Sequence, residues 1–265
     1  MRLGFGLGLQ YSKLSGGGSG NTDAFIIEVK TDNAGTSNDN QFQFTGAVGD
    51  YDVVAKQNGV VIETFNNLSD EATITLPSSG IYVLEVSAKA ANGFDRIRFD
   101  GGGDKDKMLD IKQWGNIIWS SFNEAFYGCN NMLTTATDIP DVSSVTNMSL
   151  MFYYATSANP NTTNWDVSSV TDMYYMFRSA SSANPDTSNW NVSNVTDMKN
   201  IFRDASSANP DTSNWNVSNV TDMVAMFNRA TVANPDVSNW DVSSVTDMGG
   251  MLENSNLSVE NLTAC

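Results

Sequence analysis

The words "NWDVSSVTDMYYMF" at 164–177 return as "NWNVSNVTDMKNIF" at 189–202, "NWNVSNVTDMVAMF" at 214–227 and "NWDVSSVTDMGGML" at 239–252. The period is 25 residues. It is marked by Trp165, Trp190, Trp215 and Trp240, and at the far corner by Pro160, Pro185, Pro210 and Pro235. A fixed period of this length belongs to a solenoid, in which a coil buries its apolar face only by stacking on its neighbour. Trp114, Trp119, Phe122 and Phe126 form a weaker upstream copy with one inserted residue. The expectation is about six coils, from about 109 to 265.

Within one coil, Trp165 and Val167 share a face at period two, which predicts a short strand. Val170, Met173, Met176, Phe177 and Ala180 then form one stripe at spacings of three and one, which predicts a short helix with Thr171 as N-cap. Asn184, Pro185, Asp186 and Asn189 are residues that close turns. The methionine stripe and the tryptophan column read as core filling, as stacking demands.

The letters that change lie between fixed core residues: Tyr174-Tyr175, Lys199-Asn200, Val224-Ala225 and Gly249-Gly250, and half a turn later Tyr153-Tyr154, Arg178-Ser179, Arg203-Asp204 and Asn228-Arg229. Positions free to vary on a rigid stack are expected to point outward, as a rewritable binding surface or as simple surface drift. Tyr153, Tyr154, Tyr174 and Tyr175, with Arg178, Lys199, Arg203 and Arg229, are the candidate ligand-binding residues. Clustered exposed tyrosines with charged neighbours suit a sugar or a protein epitope.

Composition narrows the chemistry. There is no histidine, and the formal net charge is −16. Nucleic acid and anionic membrane surfaces both select basic faces, so neither is an expected partner. No run approaches the roughly 18 apolar residues of a membrane span, so no membrane insertion is expected. Without histidine or a nucleophile motif, no catalytic residue is assigned and the chain is expected not to be an enzyme. No cofactor is expected. Calcium is one reading of the column Asp172, Asp197, Asp222 and Asp247, and of Asp100, Asp104 and Asp106; capping and hydration are the other. Cys129 and Cys265 lie in the first and last coils, five steps of roughly 5 Å apart, too far to pair.

Upstream, residues 23–101 read as β. FIIEVK (25–30), QFQFTG (41–46), YDVVAKQNGVVIETF (51–65), EATITL (71–76), GIYVLEVSA (80–88) and FDRIRF (94–99) are short β-branched and aromatic runs, with Asn58-Gly59 as a hairpin turn. Their spacing predicts an antiparallel sandwich. The expected fold class is therefore α+β: a β-sandwich at 23–101, then a strand–helix solenoid at 102–265. In the first 22 residues Leu3, Phe5, Leu7, Leu9 and Tyr11 alternate mostly with glycine, and "SGGGSG" follows as a hinge. As an export signal this start is poor, with few apolar positions and no small-residue cleavage site.

The repeat, with the lead-in "GDKDKMLDIKQWGNIIWSSFNEAFYGCNNM" at 103–132, resembles the BspA-type bacterial surface-protein repeat, a leucine-rich-repeat-like family also seen in mycoplasma lipoproteins. That resemblance implies an extracellular, adhesive, non-enzymatic protein. GIYVLEVSA resembles the last strand of a PKD or immunoglobulin-like domain. The start of the chain looks like the attachment peptides of tailed-phage structural proteins. Together these give the expected function: a virion protein, a tail fibre or receptor-binding adhesin. It would dock on other tail proteins through residues 1–20 and recognise a host-surface glycan or protein through the solenoid. The expected assembly is a homo-oligomer, a trimer as in phage fibres. A bacterial cell-surface adhesin and a capsid decoration protein are the alternatives.

Overall fold

The computed structural model describes residues 21–89 and 93–258. Leu3, Phe5, Leu7, Leu9 and Tyr11, proposed for particle attachment, lie outside the described residues, as does Cys265.

Six strands form one open sheet in the order β4-β3-β6-β1-β7-β8: β1 Phe25–Lys30, β3 Asp50–Gln57, β4 Val60–Ser69, β6 Ile81–Ala88, β7 Met108–Gln113 and β8 Leu133–Thr134. The pairs are antiparallel except β7 with β8, which is parallel. β2 Gln41–Gln43 and β5 Thr73–Thr75 make a separate two-stranded ribbon. The Asn58-Gly59 hairpin sits between β3 and β4, with φ of 51° and 78° as the turn requires. This is a mixed open sheet, which corrects the expected sandwich. Of FDRIRF, only Arg96 makes a bridge, to Val48.

The sheet and the coils share one core. β7 lies beyond residue 102, yet it pairs with β1. An aromatic cluster crosses the join: Phe25 packs edge-on to Trp119 at 5.1 Å, Phe94 meets Trp119 at 5.8 Å, and Trp114 meets Trp165 at 5.7 Å. A buried ion pair ties down the loop before β2. Asp104 accepts the N–H groups of Thr36 (2.9 Å), Ser37 (3.0 Å) and Gln43 (2.7 Å). Lys107 Nζ, 3.8 Å from Asp104, donates to the carbonyls of Ser37, Asn38 and Gln41.

The coils are where the helix expectation fails. Among the described residues there is no α-helix; the one helical element is the three-residue 3-10 turn Lys105–Lys107. The reason lies in where the backbone donors go. From Met173 to Ser179, alternate N–H groups donate to the next coil: Met173 to Asp197 (3.1 Å), Tyr175 to Lys199 (3.0 Å), Phe177 to Ile201 (2.9 Å) and Ser179 to Arg203 (2.8 Å). Of the intervening ones, Tyr174 donates to the Asp172 carboxylate, and the others close tight turns three residues back: Met176 to Met173, Arg178 to Tyr175 and Ala180 to Phe177. Every donor is satisfied without a single i−4 bond. Tyr175 and Ser179 bend the chain with φ of 60° and 58°, a conformation a helix excludes. A run of such turns repeats every three or four residues, as a helix does. The stripe Val170, Met173, Met176, Phe177 and Ala180 is therefore fully buried, as expected, on a different backbone. NWDVS is not a strand either, although Trp165 and Val167 are buried.

Identical side chains stack in columns. Phe126, Phe152, Phe177, Phe202 and Phe227 form one, at ring spacings of 5.7, 5.4, 5.6 and 5.6 Å. Trp190, Trp215 and Trp240 form another, 6.4 Å apart and nearly parallel. At the corner, the backbone N–H groups of Asn184 and Asn209 donate to the side-chain oxygens of Asn159 and Asn184 (2.8 and 2.9 Å).

Candidate functional site

The turn segments set the variable residues on one wall of the stack. In the pairs that follow TDM, the first letter lies at the surface: Tyr174, Lys199 and Val224 are half-buried and Gly249 is exposed. The second is buried in two coils, with Asn200 1% exposed and Ala225 7%, while Gly250 is exposed. Half a turn later the order reverses: Asn228 is buried, while Tyr154 and Arg229 are exposed, so the expectation that both letters point outward fails at Asn200, Ala225 and Asn228. Tyr175 occupies the same register as Asn200 and Ala225 and is half-buried.

Four of the tyrosines meet. Tyr153 packs on Tyr154 at 4.5 Å and edge-on to Tyr175 at 5.6 Å; Tyr175 lies 3.9 Å from Tyr174. A fifth, Tyr127 from the first coil, extends the row at 4.7 Å from Tyr153. Tyr127 belongs to the weak first copy, where the repeat pattern does not mark it. Counting back one period plus the inserted residue from Tyr153 finds it. Tyr154 is the most open member, 44% exposed.

Arg178 completes the group. Its guanidinium carbon stands 4.6 Å from the centre of the Tyr175 ring and 5.4 Å from that of Tyr153. Such contacts contribute about 0.5–2 kcal/mol and fix the orientation of the charge. Among the described residues Arg178 makes no ion pair, and its Nε is buried without a hydrogen-bond partner. Burial pushes the Tyr153 hydroxyl above its ordinary value, against the opposing pull of Arg178. Tyr174 is raised by burial, by its bond to Tyr175 and by the nearby charges of Tyr175 and Asp197. Both shifts favour the neutral phenol, so Tyr153 and Tyr174 present hydroxyls beside the Arg178 cation.

The other candidates are placed elsewhere on the wall and are already paired. Lys199 lies 3.7 Å from Asp222. Arg203 lies 3.4 Å from Asp204 and donates to the Asn200 side chain. Arg229 meets Asp204 at 3.1 Å.

The aspartate column runs beside this wall. The bridges Asn147–Asp172–Asp197–Asp222–Asp247 link one coil to the next. Each carboxylate accepts the N–H two residues on, at 2.9 Å in Asp172, Asp197 and Asp222 and 3.0 Å in Asp247. Asp197 is held above the usual carboxylate range by burial and by its neighbours Asp172 and Asp222. Among the described residues no three acidic groups gather as a metal ion requires. Asp104 is spent on the loop, Asp106 on Lys105 and Asp100 on Arg98. Cys129 is a free, fully buried thiol, whose burial pushes its pKa well up.

Fold and site together define a repeat protein of stacked 25-residue turn coils that carries an aromatic, cationic cluster on its variable wall. Residues 120–231 and 186–264 match the family described as "Mycoplasma protein of unknown function, DUF285", and the chain belongs to that family. No curated protein and no solved structure matches the chain. No helix among the described residues is long and apolar enough to cross a membrane.

Proposed function

We propose that this is a non-enzymatic recognition protein whose coil stack presents the Tyr127–Arg178 cluster to a glycan or protein on a cell surface. The supporting observation is the contrast within one coil. Core positions repeat almost letter for letter, while the wall gathers five tyrosines and an unpaired arginine in the first coils. Half-exposed aromatic area of that kind is retained where it binds something.

The setting we propose is a virion, as a tail fibre or receptor-binding protein docked by residues 1–20, in a homo-oligomer, with several weak contacts combining through avidity. A BspA-type cell-surface adhesin is the second reading, favoured by the match to a mycoplasma family. The two differ in where the intact chain is found: in purified particles, or in a cell's envelope fraction.

Recognition itself is tested with Tyr154→Ala and Tyr174→Ala combined in the full chain. Binding to target cells is expected to fall while the thermal midpoint holds. Unchanged binding by a folded variant overturns the assignment of the cluster.

A further inference from the structure

The cations on the variable wall are not equivalent. Lys199 stands against Asp222, and Arg203 and Arg229 against Asp204. Their charges are answered within the protein. Arg178 alone among these four has no carboxylate within ion-pair distance among the described residues, and its guanidinium donates no hydrogen bond. In a chain with a formal charge of −16, an arginine left without an acid partner is conspicuous.

Its position is nonetheless fixed. The guanidinium is held over Tyr175 at 4.6 Å and Tyr153 at 5.4 Å, and those rings are braced by Tyr174, Tyr154 and Tyr127. Its Nε is buried and without a hydrogen-bond partner, while the residue as a whole is only half-buried. A planar fork set beside aromatic rings matches a bidentate carboxylate carried on a ring with an apolar C–H face. Neighbouring phenol hydroxyls supply the donors and acceptors that sugar hydroxyls need.

Resting on the recognition role proposed above, we infer that the ligand of this cluster is an acidic saccharide, bound through its carboxylate to Arg178 and through its ring face to the tyrosines. The carboxylate takes the place of the acid partner that Lys199, Arg203 and Arg229 each have and Arg178 lacks. Neutral sugars retain the ring contact and lose the ion pair.

The experiment is calorimetric titration of the full chain with a glucuronate-terminated disaccharide and with its glucose-terminated counterpart, alongside the cell-binding assay. A charge-assisted pair made here corresponds to a preference of about tenfold or more for the acid. That preference is expected to shrink with added salt. Arg178→Gln is expected to bring the two sugars level, and Arg178→Lys to keep part of the difference, both in a chain that still melts cooperatively, with its midpoint lowered only by the lost ring contacts. Equal affinities in the native chain overturn the acidic ligand and leave recognition of sugars standing. Binding to cells without binding to either disaccharide overturns the saccharide altogether and points to a protein epitope. If cells are not bound either, the recognition role fails with it.

Discussion

The inner wall of each coil and the outer wall are made from the same turns, yet they follow opposite rules. On the inner wall Phe152, Phe177, Phe202 and Phe227 stack ring on ring, and Met173, Met176, Met198 and Met223 fill the space beside them. A change in one coil there is felt by two neighbours. On the outer wall the equivalent positions read Tyr174, Lys199, Val224 and Gly249, with no shared chemistry. The stack constrains what it buries and leaves the rest free, so chemistry can change on one wall without refolding the other.

Phe177→Ala puts that contrast under the greatest strain. It empties the centre of the phenylalanine column and is expected to cost about 3–5 kcal/mol, read from the denaturation midpoint. Met176→Ala, beside it, should cost about 2–5 kcal/mol by the same measurement. A stable variant at either position means the inner wall does not hold the stack.

Asp197→Asn sharpens the comparison from the boundary between the walls. The fold raises the pKa of Asp197, so its ionised form is disfavoured there. Native stability is therefore gained as pH falls through the raised value. The variant should be the more stable chain at neutral pH, and the gap should close below about pH 4, where the unfolded carboxyl is also protonated. Asn147 already occupies this column and donates to Asp172 at 3.2 Å, so the amide fits. Thermal melts across pH check the sign.

The smallest change in stability belongs to the outer wall. Tyr154→Ala removes a side chain that is 44% exposed, and should stay within about 0.5 kcal/mol of the native chain. Its effect is expected in cell binding. A large loss of stability would make Tyr154 part of the core.

The sequence displayed the buried set better than the backbone that buries it. Spacing placed Val170, Met173, Met176, Phe177 and Ala180 inside, because any conformation returning every three or four residues brings them to one face. It could not separate a helix from a chain of turns. That difference lies in whether an N–H such as that of Phe177 meets its own coil or Ile201 of the next. In the sheet, alternation and Asn58-Gly59 located β1, β3, β4 and β6. β7 escaped because its six residues resemble the lead-in of a repeat, while their partner, β1, lies far back in the chain. In the site, periodicity gave Tyr153, Tyr154, Tyr174, Tyr175 and Arg178. The placing of Arg178 over two rings, and the acid partners that occupy Lys199, Arg203 and Arg229, depend on side-chain directions that spacing does not encode.

The most direct test is hydrogen–deuterium exchange on the full chain, with and without isolated envelopes of the target cell. Slowed exchange confined to the turns around Tyr153–Thr156 and Tyr174–Ser179 is the predicted result. Slowed exchange along the corner at Asn184–Asn189 or on β4, with those turns unchanged, would contradict it.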